Sequence, residues 1–305
     1  MTPKPQAPPD PAAQSRARRR GIVLVLAASA VFALSAAFAK TIGAGVPVAE
    51  VILFRNLFAI PALLPVVLAA GGWAALATRN PVSHAARTLF GMMGMIGAFY
   101  GYVHLPLATV TALGFTMPLF LTVLAVPLLG ESVGWRRGLA VLVGFLGVLL
   151  MVRPAGLPSG EAGIAVVLCL LGSVGWALAM ITIRRMGEAG ESSVAIVFWF
   201  TVGSAALAGV ATVPVWVWPT PLEWALLIGI GLVSALAQVL MTSAYRSGET
   251  SLLAPFEYAA IIWTTAAGAL IWAELPDGWD FAGIAVLVGA GLYIWHREVV
   301  LGVRR

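Results

Sequence analysis

Ser251 to Glu274 reads SLLAPFEYAAIIWTTAAGALIWAE, an apolar run longer than a soluble core helix needs, closed by Glu274 and carrying one carboxylate inside it, Glu257, near its start. About twenty mostly apolar residues rise roughly 30 Å as a helix, which matches the hydrocarbon thickness of a bilayer. An acid inside such a span is costly, so it faces the protein interior or a wet cavity. The rest of the chain then has to supply the walls of that cavity.

The composition agrees with a membrane setting. Of 305 residues 60% are hydrophobic and only 10% charged, and the mean hydropathy is +0.96. Soluble domains carry about a quarter charged residues, so a soluble globular fold is excluded. The net charge of +5 does not point to nucleic acid, because the Lys and Arg residues are scattered between apolar spans rather than gathered on a water-facing patch. The single cysteine, Cys169 in LCLLGS, excludes an intramolecular disulfide and reads as a small buried residue.

With Gly, Pro and charge as punctuation, hydropathy gives ten spans, at about 21–42, 48–70, 85–104, 107–129, 136–152, 162–184, 194–215, 221–245, 251–273 and 279–297. Residues 1–20 form a polar, Pro- and Arg-rich tail expected to be disordered, and 299–305 a second short tail. Alternate loops hold the basic residues. Lys4, the four tail arginines, Arg79, Arg87, Arg136, Arg137, Arg184, Arg185, Arg246, Arg297, Arg304 and Arg305 place 15 of 18 Lys+Arg on one side. Lys40 and Arg153 fall on the other, and Arg55 lies within a span. The positive-inside rule puts both termini in the cytoplasm.

The two halves repeat. At an offset of 144, Phe32-Ala33-Leu34 falls on Trp176-Ala177-Leu178 and Phe54 on Phe198; at 143, Tyr102 falls on Tyr245, Phe115 on Tyr258 and Glu131 on Glu274. A nearly constant offset across half a chain marks an internal duplication. Five spans per half is an odd number, so the second half enters the membrane from the opposite side. This inverted repeat, 21–153 and 161–298, is the layout of many secondary transporters, with a site between the halves near the midplane. It also argues that the first span, which resembles a signal peptide up to Ala37-Phe38-Ala39, is retained.

Several residues stand out for chemistry. Ser234, Gln238, Thr242 and Tyr245 form a polar stripe along the eighth span. Such a stripe bonds to a neighbouring helix or lines a pore. On the third span, Gly91, Gly94, Gly97 and Gly101 make a ridge for close helix contact, while Met92, Met95, Phe99 and Tyr102 lie largely on the other side and suit either packing or a pocket. Arg55, in EVILFRNLFAI, stays charged. It either snorkels, pairs with Glu50 or another acid, or faces the cavity and a substrate carboxylate. Glu257 is either a structural partner, for example of Arg246, or the group that handles protons or cations. Pro61, Pro65, Pro118, Pro127 and Pro255 allow kinks. Trp176, Trp199 and Trp263 lie deeper than the interfacial tryptophans. There is no phosphate loop, and the three histidines are too scattered for a metal or triad site, so no cofactor, metal or catalytic residue is expected.

Taken together, the paired halves, LLGE ending at Glu131 followed by Gly138 and Gly144, FRNLF in the second span, and APFEYAAIIW leading to AELPD resemble the ten-helix EamA-type branch of the drug/metabolite transporter superfamily. The resemblance covers about residues 21–298. It implies an all-α polytopic fold in a bacterial-type inner membrane and export of amino acids or other metabolites; APFEYAAIIW looks closest to a related group that takes up S-adenosylmethionine. Where many exporters have Glu before Pro this chain has Ala260, so a carboxylate role there shifts to Glu257. The expectation is a secondary carrier, most simply an exporter of amino acids with aromatic or apolar side chains, its partners being that small molecule, the lipid bilayer and protons. Uptake of S-adenosylmethionine is the alternative, and a membrane scaffold or intramembrane enzyme the alternative of another class. The pocket is expected to draw on Phe32, Arg55, Phe99, Trp176, Trp199, Gln238, Tyr258 and Trp263, with Glu257 as the proton-coupling group.

Overall fold

A computed structural model of the chain describes residues 11–130, 134–153, 160–247 and 250–297; Glu131, and the loop residue Ser159, lie outside them. The described residues are helical throughout, without a strand. The first half comprises α1 (Pro11–Ile42), α2 (Val48–Ala69), α3 (Pro81–His104), α4 (Leu107–Gly114), α5 (Met117–Leu129) and α6 (Trp135–Val152). The second half comprises α7 (Glu161–Glu188), α8 (Ser193–Thr212), α9 (Pro221–Ser247), α10 (Thr250–Glu257), α11 (Ala259–Trp272) and α12 (Gly278–Trp295). Twelve helices thus make the ten expected crossings, because the fourth and ninth are each broken in two. Seven of the crossings are both long and apolar enough to traverse a membrane by composition. Of the others, α3 is diluted by glycine, tyrosine and its charged first turns, and α6 is short. Helix α1 starts at Pro11, so it takes in the arginine run that the sequence assigns to the tail.

The expected continuous span 251–273 is therefore two helices, and the cause is local. In the fourth crossing, Phe115 N–H bonds to both Thr111 and Ala112 carbonyls and Thr116 N–H to Leu113, a tightening to three-residue spacing. Pro118 then has no N–H to offer the Gly114 carbonyl. In the ninth, Pro255 lies inside α10 and Tyr258 N–H reaches back only three residues, to Pro255 O, at 3.4 Å. Freed carbonyls in a bilayer need other donors. Leu113 O, beside the break, accepts the hydroxyls of Thr116 (2.6 Å) and Ser173 (3.0 Å) in addition to the Thr116 N–H.

The helices pack as the repeat demands. Matching α1 to α7, α2 to α8 and so on, α3 packs on α7 as α9 packs on α1, α5 on α7 as α11 on α1, and α2 and α6 each pack on their own counterparts, α8 and α12. Small residues permit these approaches. A methyl added at Gly97 would overlap the Leu168 carbonyl of α7, and Gly147 and Gly283 face each other across α6 and α12, where a Cβ on Gly147 would come to 2.8 Å from Gly283 O. Here the glycine ridge read from the third span meets its partner helix.

Ion pairs tie the helix ends. On one face Lys40 Nζ contacts Glu274 at 2.7 Å, donates to Leu105 O at 2.9 Å and lies over Trp272, joining α1, the α3–α4 connection and the end of α11. On the same face Arg153, after α6, binds Asp277, the N-cap of α12. The Arg153 hydrogen bond, helped by the Asp280 N–H, holds the Asp277 carboxyl below its ordinary value. On the opposite face Glu191 accepts from Thr78 Oγ1 (2.9 Å) and Arg79 N–H (3.2 Å) and contacts His84 Nε2 at 3.3 Å, clamping the α7–α8 turn to the α2–α3 connection. Desolvation opposes its ionisation, but the bonds from Thr78, His84 and Arg79 outweigh it and keep the Glu191 carboxyl below its usual range.

Candidate functional site

The two helix breaks open a cavity of about 420 Å³ between the halves, bounded by α1, α3, α4, α5, α7, α10, α11 and α12. Six aromatic residues, three from each half, stand in its wall among small and aliphatic ones: Phe32, Tyr102, Phe115, Trp176, Tyr258 and Trp295. Glu257, the last residue of α10, lines it beside Pro255. Phe115 and Tyr258 stand at the two breaks with ring centroids 4.6 Å apart. Glycines on neighbouring helices make room for the larger rings. A side chain at Gly94 would overlap the Trp176 indole, and one at Gly291 the Tyr258 hydroxyl. Trp176 and Tyr258 are in this way seated by the positions that lack a Cβ.

The sequence candidates divide into three groups. Phe32, Trp176, Glu257 and Tyr258 line the central cavity. Phe99 and Trp263 stand behind its wall. Phe99, 5% exposed, packs edge-on against Tyr102 at 5.9 Å, and Trp263 Nε1 donates to the cavity-lining Ser29 Oγ at 3.1 Å while 39% of the residue is exposed on the outer surface. Trp199, Arg55 and Gln238 lie elsewhere. Trp199 is at the periphery, donating to Leu76 O at 2.9 Å. Its depth in sequence does not put it in the cavity, because on its helix it turns outward to the α2–α3 connection of the first half and is 38% exposed.

Arg55 and Gln238 instead line a second cavity of about 340 Å³ bounded by α2, α3, α8 and α9. The pairing of Arg55 with Glu50 does not form. Five residues along a helix is about 140° around it, so Glu50 turns to the α8–α9 connection and accepts from Val217 N–H at 3.3 Å. Of the polar stripe on α9, Ser234 shares a 2.9 Å hydrogen bond with Ser35 of α1; the side chains of Thr242, Tyr245 and Arg246 lie outside the described residues.

Residues not singled out for the cavity include Ser29, Phe115, Thr111 and Trp295. Phe115 was findable, since it falls on Tyr258 in the repeat. Cys169 also lines the cavity, its Sγ donating to Gly97 O at 3.3 Å. No group of three His, Cys, Asp or Glu residues suited to a metal occurs among the described residues.

This arrangement can enclose a small organic molecule against aromatic faces, offer it one carboxylate, and open to alternate sides if the broken helices move. The comparisons point the same way. The pseudopaline exporter CntI of Pseudomonas aeruginosa is 31% identical over 277 residues, 89% of this chain and 94% of its own. The S-adenosylmethionine uptake transporter of Rickettsia prowazekii is 27% identical over 91% of this chain and 93% of its own, and the riboflavin transporter of Vibrio cholerae 28% identical over 92% and 94%. One solved structure covers 96% of this chain and 100% of its own at a TM-score of 0.63 and 20% identity, a likeness of fold alone. The protein is a multi-pass transporter of the inner membrane. The EamA-like transporter family matches residues 19–153 and 163–295, one repeat each, and the chain belongs to that family.

Proposed function

We propose that this protein is a secondary carrier that exports amino acids with aromatic or apolar side chains, binding them in the central cavity and releasing them by alternating access. The observation that carries the reading is the cavity itself: aromatic walls from both halves meet at two helix breaks, with Glu257 at the edge. A flat apolar side chain stacks on Trp176, Phe32 and Tyr258, and the ammonium group of an amino acid is attracted to the Glu257 carboxylate and to the aromatic faces. Glu257 is also the group placed to bind a proton and so couple transport to the proton gradient. Both termini lie in the cytoplasm on this reading.

A second reading is favoured by one further observation. A carboxylate among aromatic rings also suits a sulfonium cation, and a relative matching over 91% of this chain is an S-adenosylmethionine uptake transporter. Proteoliposomes loaded or bathed with a labelled panel of amino acids and S-adenosylmethionine separate the two. Counterflow of phenylalanine or leucine supports amino-acid export, counterflow of S-adenosylmethionine alone replaces it with the second reading, and transport of neither refutes both.

A further inference from the structure

The second cavity, with Arg55 and Gln238 in its wall, has a charge balance that the transport reading does not explain. Its described lining holds two guanidinium groups, Arg55 and Arg87, and no carboxylate. Charges inside a membrane protein are costly unless paired. Yet neither arginine forms an ion pair with a described residue. Arg55 donates only to neutral acceptors, Met95 Sδ at 3.1 Å and Asn56 Oδ1 at 3.4 Å. Arg87 lies with its guanidinium carbon 3.9 Å from the Phe200 ring centroid, and its Nε and Nη1 are buried without a hydrogen-bond partner.

Arg87 also occupies prepared ground. A basic residue near the end of a membrane helix ordinarily snorkels to the interface. Here Gly91, one turn along α3, leaves the space in which the guanidinium rests; a methyl at Gly91 would overlap both Arg87 Nη1 and the Phe200 ring. Asn56, Thr201, Ser234 and Gln238 add polar groups to the same cavity, and Val66, Val67 and Phe198 an apolar side. This is the make-up of a site for an anion with a carbon body: planar donors for two oxygens, and apolar surface for what is attached to them.

We propose that the second cavity is an oxyanion site in which Arg87 and Arg55 hold a carboxylate or phosphate, carried by a soluble organic anion or by a lipid headgroup. It lies in the half of the bundle nearer the Glu191 clamp, since it takes in the end of α2 and the start of α8. The Ser35–Ser234 hydrogen bond stands between it and the central cavity. The proposal does not depend on what the central cavity carries.

The test uses the full chain in nanodiscs of neutral phosphatidylcholine. Its thermal midpoint is titrated with succinate and with inorganic phosphate at constant ionic strength, and separately with added phosphatidylglycerol. A ligand that binds only the folded state raises the midpoint saturably, here by roughly 2–4 °C or more. Arg87→Gln, and Gly91→Ala, which keeps the charge but displaces it, should abolish the rise. Without anion, Arg87→Gln should melt at or above the parent temperature, because it removes an uncompensated charge. A response to succinate or phosphate assigns the site to a soluble anion, and a response to phosphatidylglycerol alone assigns it to a lipid headgroup. An equal rise in parent and variants, no rise with any of the three probes, or a lower anion-free midpoint for Arg87→Gln overturns the proposal; the last would make Arg87 a structural cation.

Discussion

Glu257 is a single carboxylate at the junction of a broken helix, facing aromatic rings across a cavity. If it couples transport to protons, Glu257→Gln should still bind substrate but lose the pH dependence of transport, since Gln imitates the protonated acid and cannot release a proton. Proteoliposomes with equal protein content measure this; a pH profile overlaying the parent's would leave a facilitative carrier. That an acid sits in this span was plain from the sequence, which left open whether it is a structural partner or the group that handles protons. Arg87 was not legible in the same way. It stands at the start of its span like the loop arginines around it, and only the packing shows that Gly91 and Phe200 draw its head into the bundle. Trp199 misled in the opposite sense. Depth along a span tells how far a residue is from water, but the direction it faces depends on which neighbours its helix acquires.

At the level of helices, the glycines divide by what lies opposite them. Gly97→Ala drives a methyl into the Leu168 backbone, which cannot swing aside as a side chain can, and overpacking of this kind costs about 1–3 kcal/mol. Gly289→Ala meets nothing within 4 Å and should be neutral or stabilise by up to about 1 kcal/mol through helix propensity. Thermal midpoints of the two variants should therefore move in opposite directions, or only the first should move. The joint between α6 and α12 yields a pH prediction. Because Arg153 holds the Asp277 carboxyl below its ordinary value, the stabilisation it gives is present above that ordinary value and is lost as the pH falls through the lowered one. Asn at position 277 can still cap α12. Parent and Asp277→Asn melting temperatures should thus differ at pH 7 and converge below about pH 4, and a gap independent of pH would assign the effect to capping geometry. Spans and helix contacts were readable from periodicity and from the glycine ridge; the breaks were only half readable. Proline at 118 and 255 licensed kinks, but where each chain parts follows from which carbonyls find other donors, such as Leu113 with its two hydroxyls.

The molecule as a whole is two five-crossing repeats of opposite sense, legible because the offset near 143 holds from the first span to the last. Its orientation rests on the charge asymmetry of the loops. With Cys169 replaced by Ser, single cysteines at Ser159 and Ser192 should react with an impermeant thiol reagent from opposite faces, the first from the periplasm; labelling from one face would remove the inverted arrangement. The repeat also gives the tilted ring pair Phe115 and Tyr258 a meaning beyond contact. Two equivalent points related by a two-fold rotation have the axis through their midpoint, so the axis joining the halves passes within the 4.6 Å that separates these rings. Points beside a pivot travel least when a lever swings. If the two halves exchange conformations about that axis, these rings should move least and Lys40 and Glu191, at opposite ends of the helices, most, and distance probes placed at both would read that gradient; equal displacements would remove the pivot.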